Sequence, residues 1–159
     1  MSHKPDADSA VQRARRTWNI DQWGSGYFDV DEDGQALVRP LGEVEPGPSL
    51  PLRGLVDQIR QAGLRLPVLI RFTDILHDRV EQLCAAFDQA MAEENFESGY
   101  TAVYPIKVNQ QRRVVEEILA TNERGRDRVG LEAGSKPELL AVLALSGDGP
   151  SLIVCNGYK

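Results

Sequence analysis

The residue whose type and position favour chemistry most is Lys107, which follows the apolar run 102–106. The chain has only four lysines among its eighteen basic residues. A lysine that ends a buried strand is costly to hold charged, so desolvation favours its neutral amine. A neutral amine can attack an aldehyde and form a Schiff base. The alternative is that Lys107 lays its methylenes on apolar surface and keeps its ammonium in water.

Two acidic residues follow the next apolar run along the chain. Glu132 lies near the end of a strand predicted over 129–133, where a carboxylate can pair with Lys107, position it or carry its proton. A surface position at a strand end explains Glu132 equally well. Ser135 and Glu138 have the spacing of a helix capping box. That structural role is sufficient for Ser135, and for Glu138 it competes equally with a role in a site.

Composition limits the classes of protein to which the chain can belong. Hydrophobic residues make up 42% of the 159 residues, enough for a core and too many for a disordered chain. A net charge of −6 disfavours nucleic acid as a partner, since that partner needs a basic surface. No apolar stretch approaches about 18 residues, so no membrane span is predicted. The N-terminus lacks the apolar segment of a signal peptide, and the expected compartment is the cytoplasm.

Two patterns that resemble metal or disulfide sites have simpler explanations. The segment 29–34 opens like a calcium-binding loop, but Pro40 occupies the twelfth position, where that loop needs a bidentate Glu. An acidic turn is predicted instead. Cys84 and Cys155 have no second Cys or His at ligand spacing, so both are predicted to be buried, inert thiols. No metal site is predicted from the residues.

The elements that must position Lys107 fall into three predicted parts. Residues 1–17 are polar and are expected to be a loose N-terminal segment. Residues 18–51 contain a β-hairpin, with strands at 27–30 and 35–39, and a linker rich in Pro and Gly. Residues 52–159 begin with a helix and continue as alternating strands and helices. The predicted strands of this last part are 68–70, 101–107, 129–133 and 152–155.

Strands that are apolar throughout and alternate with helices predict an α/β fold with a helix-covered parallel sheet. Because the chain stops where the next helix should begin, we interpret it as the first part of a larger (β/α)8 barrel, truncated at its C-terminal end. Catalysis in such a barrel lies at the C-terminal ends of the strands. The polar segments 107–113, 132–138 and 155–159 are expected at that rim. A glycine-rich phosphate loop is absent from the sequence, and in this architecture it would follow strands seven and eight.

Four segments of the chain resemble one known family, the biosynthetic arginine decarboxylases. The segments 104–118 and 130–140 are long and specific matches, and the stretches 18–28 and 155–159 match too. The similarity covers nearly the whole chain from about residue 16. The wider alanine-racemase-like fold group usually has Ala where this chain has Pro105, and the proline points to the arginine-specific branch.

The resemblance implies a pyridoxal-phosphate enzyme with a (β/α)8 barrel, whose N-terminal part is 52–159, and a separate β-domain that includes the hairpin. It implies that Lys107 is the Schiff-base lysine. It also implies that Glu132 and Glu138 lie near the cofactor. The resemblance also implies a need for magnesium, for which the sequence shows no ligand set.

The activity implied by the resemblance is decarboxylation of L-arginine to agmatine and carbon dioxide, as a step of polyamine and spermidine biosynthesis. The full-length enzyme is expected to be a homo-oligomer, and residues 1–159 alone are expected to be inactive. Two alternatives stay open: a decarboxylase for ornithine or diaminopimelate, and a non-catalytic, cofactor-binding or regulatory homologue.

Overall fold

The computed structural model of the chain contains two compact units, Met1–Ile75 and Leu76–Lys159. It describes residues 9–43, 47–124, 128–146 and 152–157. The division between the units falls later than the predicted boundary at residues 51 and 52. The reason is that the helix Leu52–Gln61 packs against strands of the first unit.

The first unit contains a three-stranded antiparallel sheet whose central strand is β2. Its elements are α1 (Ala10–Thr17), α2 (Ile20–Trp23), β1 (Phe28–Val30), β2 (Ala36–Val38), β3 (Leu50–Pro51) and α3 (Leu52–Gln61). The predicted hairpin is present, with β1 and β2 paired so that Asp29 lies opposite Leu37. The Asp31 carboxylate accepts hydrogen bonds from the backbone N–H groups of Asp33 and Gln35, at 3.0 and 2.8 Å. The acidic segment 29–34 therefore serves to close the hairpin turn.

Helix α1 corrects the prediction that the N-terminal segment is loose, at least for residues 10–17. Ser9 caps the helix, and its side chain and that of Gln12 form a reciprocal capping box. The sequence did not predict the contact that holds this helix in place. The guanidinium of Arg15 donates hydrogen bonds to both carboxylate oxygens of Asp29, at 2.7 and 2.5 Å. Residues 1–8 lie outside the described part of the chain.

Among the described residues of the first unit, Asp29 is the charged residue that is buried, with only 7% of it exposed. Its carboxylate also lies 2.9 Å from Nη2 of Arg39 and accepts a hydrogen bond from the backbone of Val30. Burial by itself raises the pKa of Asp29. The hydrogen bonds from Arg15 and Val30 and the charges of both arginines outweigh burial, so the pKa of Asp29 lies below its ordinary value of 3.8.

The second unit contains a parallel sheet with the strand order β4-β5-β6. Its elements are α4 (Thr73–Glu93, which starts within the first unit), β4 (Ala102–Pro105), a 3-10 helix at Ile106–Val108, α5 (Arg112–Leu119), a 3-10 helix at Ala120–Arg124, β5 (Val129–Ala133), α6 (Lys136–Leu145) and β6 (Ile153–Cys155). In the register, Leu131 lies opposite Tyr104 on one side and Ile153 on the other. The α/β class is confirmed. Among the described helices, none has the length and apolarity needed to cross a bilayer.

Two of the predicted strands differ from the structure. The run 68–70 is not a strand, because no described strand pairs with it, and Leu69 is 73% exposed. The strand predicted over 101–107 ends at Pro105, and a 3-10 turn follows at once. Proline has no N–H to donate to a sheet ladder, which explains why strand pairing stops there.

The core of the second unit lies between the sheet and helices α5 and α6. Its central cluster consists of buried side chains from the strand ends and the two helices: Ile106, Val115, Leu131, Ala133 and Val142. Since side chains alternate along a strand, Gly130 and Glu132 face the opposite side of the sheet from Leu131. The helices therefore cover one face and fix the positions of the strand ends, where the polar segments begin.

Candidate functional site

Lys107 lies at the middle of the 3-10 helix Ile106–Val108, which we call the lysine turn. Ile106 is fully buried in the central core cluster, whereas Lys107 is exposed and Val108 is 69% exposed. The turn contacts β5 and α6. The prediction that Lys107 ends a buried strand was wrong, because the strand stops two residues earlier. The structure instead presents the lysine amine to solvent from a turn with a buried anchor.

The residues on either side of the lysine turn are joined by a hydrogen bond. The hydroxyl of Tyr104, on β4, donates to the backbone carbonyl of Asn109 at 3.3 Å. Burial raises the pKa of Tyr104, an effect partly offset by this hydrogen bond. The Asn109 side chain accepts a hydrogen bond from the backbone of Gln111, which is itself the N-cap residue of α5. Asn109 therefore lies two residues before the cap of α5.

Glu138 is tied to the turn between β5 and α6. The hydroxyl of Ser135 accepts a hydrogen bond from the Glu138 backbone at 3.3 Å, so the predicted capping role of Ser135 is confirmed. The Glu138 carboxylate accepts from the backbone of Gly134 at 2.7 Å, one residue earlier than in a standard capping box. One carboxylate oxygen of Glu138 therefore has a structural partner.

Glu132 is brought to the same end of the sheet as Lys107. It lies opposite Pro105 on β4 and Val154 on β6, and its side chain is half-buried. It faces away from the helices. The pairing that the sequence suggested is not formed: within the described ranges, no ion pair or hydrogen bond joins Glu132 to Lys107. In the described part of the chain, the two residues share a rim without an ion pair or hydrogen bond between them.

A small cleft of about 230 Å³ separates the β5–α6 turn from the end of β6. Residues 133–136 line one side and 155–157 the other. The Asn156 backbone donates to the Ala133 carbonyl at 2.9 Å, which holds the two segments together. Cys155 is exposed here, contrary to the prediction of a buried thiol, because β6 ends at that residue. Cys84 is buried as predicted, and burial raises the pKa of its thiol.

The described residues meet only some of the requirements for binding pyridoxal phosphate. The cofactor needs an amine for its aldehyde, donors for its phosphate and a partner for its ring nitrogen. The exposed amine of Lys107 meets the first need, and Glu132 and Glu138 place carboxylates at the same rim. The sequence has no glycine-rich phosphate loop. Among the described residues no group of three metal-ligating side chains comes together, so none is assigned to magnesium.

Comparison with known proteins shows which proteins the chain resembles. The family model described as "Pyridoxal-dependent decarboxylase, pyridoxal binding domain" matches residues 77–159. Curated biosynthetic arginine decarboxylases from Alkalilimnicola ehrlichii and Marinobacter nauticus are 55% and 52% identical to the chain over 96% of its length. The chain covers only 24% of either protein.

A solved structure is also similar. The biosynthetic arginine decarboxylase of Campylobacter jejuni is 32% identical to the chain, with a TM-score of 0.75 over 89% of the chain and 22% of that protein. The chain thus spans about a quarter of the relatives that it matches. With the fold, the lysine-bearing rim and these similarities taken together, the chain belongs to the pyridoxal-dependent decarboxylase family and corresponds to an N-terminal portion of its arginine decarboxylases.

Proposed function

We propose that this chain is the cofactor-lysine portion of an enzyme that converts L-arginine to agmatine and carbon dioxide in polyamine biosynthesis. The observation that carries the proposal is the position of Lys107, on an anchored turn at the C-terminal rim of a parallel sheet. That rim is where α/β barrels carry their chemistry. The segment lies within residues 77–159, the part that matches the pyridoxal-binding domain.

Each site residue has a proposed task. When bound, pyridoxal phosphate supplies an electron sink for the bond that breaks at the substrate carboxylate. Lys107 holds the cofactor aldehyde, and its amine, once released, is placed to carry a proton. Glu132 presents a carboxylate at the same rim, where it can interact with a positively charged group of the cofactor or substrate. Glu138 holds the β5–α6 turn through the Gly134 amide.

The proposal also covers the substrate, the cellular compartment and the oligomeric state of the whole enzyme. No described residue distinguishes arginine from ornithine or diaminopimelate, so the choice of arginine is supported by the names of the similar proteins. We place the reaction in the cytoplasm and expect the complete enzyme to be a homo-oligomer. Because the relatives are about four times longer, we expect no decarboxylation from the 159-residue chain alone.

The role of Lys107 is tested by labelling the chain with pyridoxal phosphate. Borohydride reduction followed by peptide mapping compares all four lysines, Lys4, Lys107, Lys136 and Lys159, within one molecule. Lys107 is expected to carry most of the label. Lys107→Arg should remove that label and Lys136→Arg, at the same rim, should leave it. A label spread evenly over the lysines would refute the assignment.

A chimera tests whether this chain can serve as the cofactor-lysine portion of an arginine decarboxylase. The matching portion of the Alkalilimnicola ehrlichii enzyme is replaced by this chain, with which it shares 55% identity. Release of carbon dioxide is measured with arginine, ornithine and lysine, and Lys107→Arg in the chimera serves as the inactive control. Release from arginine alone is expected. Bound cofactor without release from any of the three would favour the non-catalytic homologue.

A further inference from the structure

The lysine turn is too short to hold its own shape. It is a single 3-10 turn of three residues, and 3-10 hydrogen bonds have poorer geometry than those of an α-helix. Ile106 anchors one side of the turn in the core. The following residues, Lys107 and Val108, are both exposed, so apolar packing does not fix them. A further restraint is therefore needed beyond Ile106.

Tyr104 supplies a restraint at the other side of the turn. Its ring is half-buried and packs against both core clusters, on the helix-covered face of the sheet. Its hydroxyl donates to the Asn109 carbonyl, so the segment from Tyr104 to Asn109 forms a closed loop with Lys107 inside it. Asn109 is bonded in turn to the Gln111 backbone, at the start of α5. The loop is thus fastened to β4 at one end and to α5 at the other.

We propose that Tyr104 is a positioning residue for Lys107, acting through the hydrogen bond that its hydroxyl donates to the Asn109 carbonyl. The inference rests on the proposed role of Lys107 and extends it to a residue outside the lysine turn. The bond needs the phenol to keep its proton. Since burial raises the pKa of Tyr104, the hydroxyl keeps its proton at neutral pH and remains a hydrogen-bond donor.

The test is Tyr104→Phe, which removes the hydroxyl and keeps the ring in the core. The matched control is Tyr100→Phe, because Tyr100 stacks on Phe87 at a centroid separation of 3.9 Å and lies outside the lysine turn. The readout is the ratio of Lys107 to Lys136 labelling by pyridoxal phosphate, followed as a function of pH. A ratio of two lysines in one sample does not change with the total amount of protein or of label. Tyr104→Phe should lower it about two- to tenfold, as expected for one lost hydrogen bond.

Rescue separates positioning from packing. Incorporation of 4-aminophenylalanine at position 104 puts an N–H donor back near the lost hydroxyl, and it should restore the ratio while Tyr100→Phe leaves it unchanged. If Tyr104→Phe loosens the fold, rescue by 4-aminophenylalanine still tests the proposed hydrogen bond. A preference for Lys107 that is equal in the wild type and in Tyr104→Phe would overturn the inference and leave the proposed function intact. No preference for Lys107 in the wild type would refute the proposed function itself.

Discussion

Gly130 is the position at which a single methyl group tests the packing of the sheet most directly. A Cβ atom built on Gly130 would lie 2.5 Å from the backbone oxygen of Leu152 and 2.8 Å from its Cβ. The first distance is about 0.9 Å shorter than the 3.4 Å at which ordinary contact begins. The same Leu152 oxygen accepts the hydrogen bond of the Leu131 backbone at 2.9 Å. Gly130→Ala must therefore displace the chain at the start of β6 and strain this hydrogen bond.

The expected cost of Gly130→Ala is about 2–4 kcal/mol in the free energy of unfolding. Overpacking accounts for about 1–3 kcal/mol of it. The weakened hydrogen bond adds about 1 kcal/mol. Because β6 pairs only with β5 among the described strands and Leu152 is 47% exposed, part of the strain can be relieved by local loosening of β6. The cost should therefore fall in the lower half of the range.

Urea unfolding followed by circular dichroism measures this cost, and hydrogen exchange of the Leu131 amide locates it. The control is Gly99→Ala in the same unit, where a Cβ meets nothing within 4 Å. That variant should stay within about 0.5 kcal/mol of the wild type. Equal unfolding midpoints and equal exchange for Gly130→Ala and Gly99→Ala would show that the close approach of β5 to Leu152 does not exist.

Three further outcomes are expected. Asp29→Asn should lower stability at pH 7 by about 1–3 kcal/mol. The folded-state pKa of Asp29 is depressed, so its contribution to the free energy of unfolding is present above pH 3.8 and is lost as the pH falls through the folded-state pKa. When the free energy of unfolding is measured against pH in the acid range, the Asp29→Asn variant should therefore lack this pH-dependent loss. Val142→Ala, in the core, should cost about 2 kcal/mol in urea unfolding, whereas Leu143→Ala on the exposed face of α6 should cost under about 0.5 kcal/mol. Glu138→Ala should lower the free energy of unfolding by about 1–2 kcal/mol, because the Gly134 amide loses its acceptor. Glu138→Gln keeps an acceptor and should lower the free energy of unfolding in urea by clearly less.

The sequence predicted the elements whose stability is local. The strand 129–133 was predicted with the bounds that β5 has, because its apolar run is bordered by polar residues and followed by a helical segment. The run 68–70 shows the limit, since an apolar pattern does not say whether another strand pairs with it. Helix α1 was missed for a similar reason. Arg15 on this helix bonds to Asp29, fourteen residues away along the chain, and local composition does not predict that contact.

The candidate site, too, was predictable from the sequence only in part. Residue type and spacing were enough to single out Lys107, Glu132 and Glu138, because the ends of parallel strands meet at one edge. Their contacts were not predictable. Glu138 bonds to the Gly134 backbone, and Glu132 makes no ion pair with Lys107 among the described residues. The position of Lys107 relative to Glu132 depends on where β4 ends, and β4 ends at Pro105.

The exposure of Lys107 changes the physical reason for which it should be reactive. Burial cannot be the source of that reactivity in this chain, because the side chain is open to solvent. Lys136, on the first turn of α6 at the same rim, is exposed as well. If Lys107 nonetheless reacts faster than Lys136, the difference must come from how firmly its backbone is held, since orientation alone can lower the barrier to reaction. The restraints that differ between the two positions are then Ile106 in the core and the Tyr104 hydroxyl, which is why relative labelling of these two lysines distinguishes a positioned amine from one that is merely accessible.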